Sequence, residues 1–331
     1  MNSWGNIFRI SIFGESHGES VGITIDGCPA GIIINPEDFA KELRRRKPGA
    51  KGTTARREED VPLFASGIFN GKTTGAPLTI LFPNREQTSK QYEKNKYLAR
   101  PGHADLTARQ KFGGYNDYRG GGQFSGRLTA PVVAAGVLAK KIIAPVDAKA
   151  ELIEAGGSKD IEQAIQTAID NNDSIGGIIE CRISDVPKSL GEPFFNPVES
   201  ALSSIIFSVP GIKGIEFGSG FKAAYMTGSE HNDQFTDGKG LTGTNHSGGI
   251  SGGITNGNDI VFRVAVKPTP TIPAPQRALN METGETEEIV FGGMHDTCFA
   301  LRLPAVIESV AAIALADLMF FEQQRKRIFD K

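Results

Sequence analysis

Cysteine is scarce: Cys28, Cys181 and Cys298 are the only three in 331 residues, and they lie far apart. An odd number without paired spacing argues against a disulfide framework and against a structural zinc. Charge of one sign is missing as well. The chain carries 36 Lys and Arg against 38 Asp and Glu, a formal net charge of −2. That balance excludes the chain-wide basic field of a nucleic-acid binder. No His-x-x-x-His, Cys-x-x-Cys or Asp-x-Asp spacing occurs, so no metal site is expected. Residues 1–10 include Asn2, Asn6 and Arg9 and lack the apolar run of a signal peptide. The most apolar stretch, 303–321, is interrupted by Glu308 and Asp317 and does not read as a membrane span. A cytoplasmic protein with no membrane and no nucleic-acid partner is expected.

Glycine, by contrast, is abundant: 40 of 331 residues, about 12% against roughly 7% on average. It clusters at 120–122, 248–249, 252–253 and 292–293, between apolar runs. Dispersed clusters of this kind suggest tight loops where backbone approaches a ligand.

Residues 8–13 (FRISIF) and 21–26 (VGITID) have strand character. Asn35-Pro36 followed by two acids starts a helix that runs to about Arg46. Residues 61–66 and 77–82 read as a hairpin around Asn70-Gly71, and 125–141 as a helix entered from the 120–122 loop. Further helices are expected at 161–169, 198–207 and 304–325, and strands at 175–183, 213–217 and 259–267. The last helix carries a 3.6-residue apolar stripe through Ile307, Val310, Ala311, Ala314, Leu318 and Phe321. Paired strands with helices between the pairs indicate an α+β fold with largely antiparallel sheets. Residues 1–331 read as one domain, with room for two similarly built halves dividing near 145.

Two features carry chemistry. All five histidines, at 17, 103, 231, 246 and 295, sit in polar loops, each close to Asp, Glu, Asn or Ser. Such neighbours tune an acid/base imidazole, although loop histidines are also commonly just solvated. Ser16 and His17 do not form a nucleophile pair, because adjacent residues in such a turn point apart. Second, residues 41–57 hold eight cations, Lys41, Arg44, Arg45, Arg46, Lys47, Lys51, Arg56 and Arg57, against the single acid Glu42. Arginine forks suit a compact polyanion, and a solvated or RNA-touching face is the competing reading. Arg100, Arg119 and Arg127 recur in other loops. The residues alone suggest lyase or transferase chemistry on a phosphorylated carboxylate.

Taken together, the motifs resemble the chorismate synthase family. They are FGESHG at 13–18, RRR at 44–46 with RRE at 56–58, GKTTG at 71–75, and RPGHAD at 100–105. DYRGGG at 117–122, DSIG at 173–176, GEP at 191–193, NH at 245–246 with GG at 248–249, KPT at 267–269, and HD at 295–296 continue the series. The resemblance implies a β-α-β sandwich and a homotetramer. It implies a 1,4-anti-elimination of phosphate from 5-enolpyruvylshikimate-3-phosphate, with reduced FMN obligatory despite no net redox change. NADPH would be the ultimate reductant, through an external flavin reductase. By the same resemblance, His17 is a general acid at the leaving phosphate and His103 sets flavin protonation. Asp296 with Ser16 and Ser125 forms a hydrogen-bond relay. Arg45, Lys51, Arg100, Arg119 and Arg127 hold substrate anions. Flavin contacts fall on Gln123, Phe124, Ser125, Pro210, Gly211, Gly252, Lys267, Pro268, Thr269, Pro270, Thr271 and Met294. The chain departs from the family pattern at Gln123, Phe124, Leu128, Met294 and Lys51. A non-catalytic flavin- or polyanion-binding protein on the same scaffold is the alternative.

Overall fold

A computed structural model describes residues 2–54, 58–85, 90–291 and 295–324. Two antiparallel sheets enclose a layer of helices. The first sheet has the strand order Ser3–Trp4, Arg9–Gly14, Ser20–Asp26, Leu78–Pro83, Leu63–Ser66. The second runs Ile212–Phe217, Ile260–Val266, Gly177–Ser184, Asp147–Ala155. Every neighbouring pair in both sheets is antiparallel. The helix Thr129–Ile143 packs on the first sheet and Pro304–Gln323 on the second, and the two helices pack against each other. The α+β sandwich expected from the sequence is therefore the fold observed.

Local chemistry explains the elements. In Ile260–Val266 alternate residues are buried, as a half-covered strand requires. The helix Pro36–Arg46 begins at Asn35, whose side chain accepts from the Glu37 amide, with proline in its first turn. Its buried residues are Phe39, Leu43 and Arg46, so an arginine occupies the apolar stripe.

Four local expectations are revised. The helix expected at 125–141 begins only at Thr129. Residues 120–122 all adopt positive φ, and Ser125 caps the Arg127 amide. Asn70-Gly71 closes a small hairpin of Ile68–Phe69 with Lys72–Thr73, and the longer strands pair beyond it. The helix Pro304–Gln323 is not merely striped: every residue from 305 to 317 is buried, because Pro36–Arg46, Thr129–Ile143, Val198–Ile206 and the second sheet pack around it. By length and composition Pro304–Gln323 could cross a membrane, yet 78% of its most apolar stretch is buried within the protein. Finally, Asp147–Ala155 is a strand at the edge of its sheet, masked in the sequence by the alanines at its inward positions 148 and 150.

Candidate active site

Four chain segments converge on one cavity. The first is the turn that follows the strand Arg9–Gly14. Asn84 donates to the carbonyls of Glu15 (3.0 Å) and Gly18 (2.9 Å), so the chain just past Leu78–Pro83, which pairs with Ser20–Asp26, holds this turn. Ser16 is fully buried and His17 is 5% exposed. The His17 ring stands edge-on to Tyr92, with ring centroids 5.0 Å apart.

The second segment, 119–128, lies against that turn. Gly120 has φ 58°, and a Cβ there would lie 2.3 Å from His17 Cδ2. Only glycine allows both the left-handed backbone and the close approach. The Gly122 carbonyl accepts from the amides of Ser16 (3.1 Å) and Ser125 (3.4 Å), bridging the two segments.

The third segment is the turn carrying His103. It follows Leu98–Ala99, which pairs with Leu279 and Asn280. Asp105 accepts from Arg100 Nε (2.8 Å) and lies 2.7 Å from His103 Nδ1. Arg100 Nη2 also stands 3.1 Å from Nδ1 and 3.3 Å from Nε2, so both ring nitrogens have a polar neighbour. Burial would push the Asp105 carboxyl upward, but bonds from Arg100 and His103 outweigh it and hold the group well below the usual range.

The fourth segment joins Thr54 and the residues after 294. Asp296 accepts from the Thr54 amide (2.8 Å) and from Arg302 (2.9 Å).

Between these segments lies a cavity of about 640 Å³, within the usual range of ligand pockets, about 300–1,000 Å³. His17, His103, Ser125, Gln123, Phe124, Arg100, Arg127 and Asp296 line it, as do Pro210, Gly211 and residues 267–271. The Lys267 amide bonds to the Gly211 carbonyl (2.9 Å), joining the last two groups.

Other candidates stand elsewhere. Arg45 faces away from the cavity, gripping Glu308 through two bonds of 2.6 Å. Lys51 is exposed and Arg119 folds back on Asp117 at 2.8 Å, and neither lines the cavity. Gly252 sits in a separate turn between the short strands Ile250–Ser251 and Ile254–Thr255. Met294, Arg56 and Arg57 lie outside the described residues. His295 joins His17 and His103 at the cavity. His231 and His246 instead stack on each other at 5.8 Å, away from it.

Arg46, read from the sequence only as part of the basic cluster, lines the cavity with Arg302, Asp60 and Tyr92, which sequence reasoning passed over. Arg46 was readable: spaced three residues after Leu43 and seven after Phe39, it continues the buried stripe of its helix. Asp60 and Arg302 carry no comparable local signal. Two buried polar atoms of this wall, Arg46 Nε and Thr269 Oγ1, have no hydrogen-bond partner among the described residues. Groups left so are costly unless a ligand satisfies them.

A family model for chorismate synthase matches residues 8–320. The chain belongs to the chorismate synthase family. It is 58% identical over 330 residues to the chorismate synthase of Chitinophaga pinensis, covering 99% of each chain. It is 41% identical to that of Methanocaldococcus jannaschii, covering 96% of each. A solved chorismate synthase crystal structure superposes with TM-score 0.75 at 25% identity, covering 96% of this chain and 93% of that one. Chorismate synthases are carbon–oxygen lyases of the shikimate pathway, in aromatic amino acid biosynthesis. They act on a small-molecule substrate and require a reduced flavin.

Proposed function

We propose that this chain eliminates phosphate from 5-enolpyruvylshikimate-3-phosphate by the 1,4-anti route, giving chorismate, with reduced FMN as the flavin. The observation that carries this reading is the convergence of Arg46, Arg100, Arg127 and Arg302 with His17 and His103 on one cavity. A substrate with one phosphate and two carboxylates needs such a concentration of cations.

The residues present suit the flavin. Thr269 Oγ1 offers an unmatched polar atom, and Lys267 lies on the same stretch. Gln123, Phe124, Ser125, Pro210, Gly211 and residues 267–271 would hold it. Gly252 and Met294, the remaining flavin positions implied by the family, stay proposals, and Gly252 does not line this cavity. Reduced FMN, when bound, would supply the electron density that eases departure of the phosphate and the base that takes the substrate's ring proton.

The chain's own groups do the rest. The arginines bind and orient the anions. His17, enclosed by Tyr92 and Gly120, delivers a proton to the leaving phosphate, a role worth on the order of 10²–10⁴ in rate. His103, held between Asp105 at Nδ1 and Arg100, is positioned by them to hold or return a proton at the cavity wall. Asp296, tied to Thr54 and Arg302, and Ser125 fix the hydrogen bonding along the wall, with Ser16 buried behind it. Arg45, Lys51 and Arg119 fall outside the cavity, so the anion-binding part is assigned to Arg46, Arg100, Arg127 and Arg302.

NADPH through an external flavin reductase is proposed as the source of reducing equivalents. A homotetramer is supported by the exposed aromatics Phe194, Phe195, Phe221, Tyr225 and Phe235. A cytoplasmic location is supported by three buried free cysteines. We also take the chain as one folding unit, since buried residues of both halves share one core cluster.

Anaerobic incubation with substrate and chemically reduced FMN tests the reading. Stoichiometric phosphate and chorismate are expected. FMN binding without phosphate release would leave only a flavin-binding protein.

A further inference from the structure

We propose that Asp60 is a positioning residue for the reaction, clamping Arg46 and Arg127 into a preset pair that receives a substrate anion. The proposal rests on the elimination chemistry assigned above.

Asp60 is 7% exposed and has φ 51°, a left-handed backbone uncommon for a residue with a Cβ. One carboxylate oxygen accepts from Arg46 Nη2 at 3.0 Å, and the other accepts from Arg127 Nη1. Both guanidiniums are 4% exposed at the side chain. Each has a second anchor on its far side. Arg46 Nη1 donates to Thr129 Oγ1 (3.1 Å), and Arg127 Nε donates to Asn84 Oδ1 (3.0 Å). Asn84 is the residue that also holds the His17 turn. A continuous chain therefore runs from the backbone of the His17 turn through Asn84, Arg127 and Asp60 to Arg46. It sets the spacing between the general acid and both cations.

The clamp does not saturate the pair. Arg46 Nε remains without a partner among the described residues, and both arginines line the cavity with Asp60. Arg302 adds a third guanidinium on the same wall. A carboxylate that only neutralised buried charge would not need to reach two arginines from a strained backbone. This one fixes two forks at a defined separation, the arrangement that lowers the ordering cost of binding an anion.

Asp60→Asn tests this, since asparagine tolerates the left-handed backbone and keeps the side-chain shape. The oxygen of the amide can still accept from one arginine, but its NH₂ group repels the other. Substrate affinity is measured by calorimetry without reductant, KM and kcat by anaerobic phosphate release, and fold by thermal unfolding. KM and the substrate dissociation constant should each rise tenfold or more, with FMN affinity unchanged. A purely structural Asp60 would lower the unfolding midpoint and leave KM of the folded enzyme as in wild type. That result, or tighter substrate binding, overturns the proposal. If Asp60→Asn does not fold, Asn84→Ala releases Arg127 together with the His17 turn, and an unchanged KM there overturns it equally. Failure of the wild-type chain to release phosphate would sink the elimination reading instead, a separate outcome.

Discussion

Replacing Gly120 by alanine separates folding from catalysis at a single atom. Two terms follow from the geometry. A side chain at φ 58° costs about 1–2 kcal/mol in the left-handed region. The new methyl would sit 2.3 Å from His17 Cδ2, 2.6 Å from Nε2 and 3.0 Å from Ser16 Oγ. Ordinary carbon contacts begin near 3.5 Å, so the imidazole must retreat by about 1 Å. A side-chain ring can move where backbone cannot, and the variant should fold, with its melting temperature a few degrees lower. The catalytic cost is larger, because a displacement of about 1 Å at a reacting group is worth about 10²-fold. Anaerobic stopped-flow detection of phosphate should therefore show kcat down about a hundredfold in folded protein. Gly122→Ala is the control. Its methyl would lie 2.2 Å from the Asp117 carbonyl, a backbone atom, so that variant should lose stability first. A folded Gly120→Ala enzyme with wild-type kcat would refute the placement of His17 at the reacting phosphate.

Four shorter predictions follow from the same geometry. His17→Ala should slow phosphate release by on the order of 10²–10⁴ while FMN affinity, read by fluorescence titration, stays unchanged; lost flavin binding would assign His17 elsewhere. Arg46→Lys should raise KM, whereas Arg45→Lys should change stability alone, and the reverse pattern would return Arg45 to the site. Because the Asp105 carboxyl is depressed in the folded state, its stabilisation is complete above about pH 4 and fades as pH falls below that. Asp105→Asn should flatten the acid limb of the stability profile, and an unaltered limb in urea titrations at several pH values contradicts this. Glu308 is 2% exposed and accepts from Arg45, Lys140 and the Ala150 amide. Its replacement by alanine should cost about 3–5 kcal/mol in chemical denaturation, and an unchanged midpoint would show that the cluster is dispensable.

Period and capping made most of the fold legible, because helices and half-buried strands write their burial into spacing. The edge strand Asp147–Ala155 escaped because its inward positions at 148 and 150 are alanines, depleted in strands, although its exposed charges at 147, 149 and 151 keep the alternation. The site was legible where chemistry is concentrated in short motifs, as at His17, His103 and Arg127. It was less legible at Arg45 and Arg46, adjacent residues that a helix turns by about 100°, sending one to Glu308 and the other to the cavity. Asp60 and Asn84 could not be found from local pattern. Their importance arises from partners 14 to 69 residues away in the chain.

Asp317 has a consequence for how the molecule is made. Its buried carboxylate accepts from the amides of Asn6, Ile7 and Phe8, more than 300 positions earlier. During synthesis, that acceptor emerges more than 300 positions after the amides it holds. Until the helix Pro304–Gln323 is made, the start of the chain lacks its anchor, and the second sheet lacks the helix that packs on it. The opening segment thus waits for a partner made some three hundred residues later, roughly tens of seconds of translation, and a message truncated between codons 8 and 317 should yield an aggregation-prone product rather than a smaller enzyme.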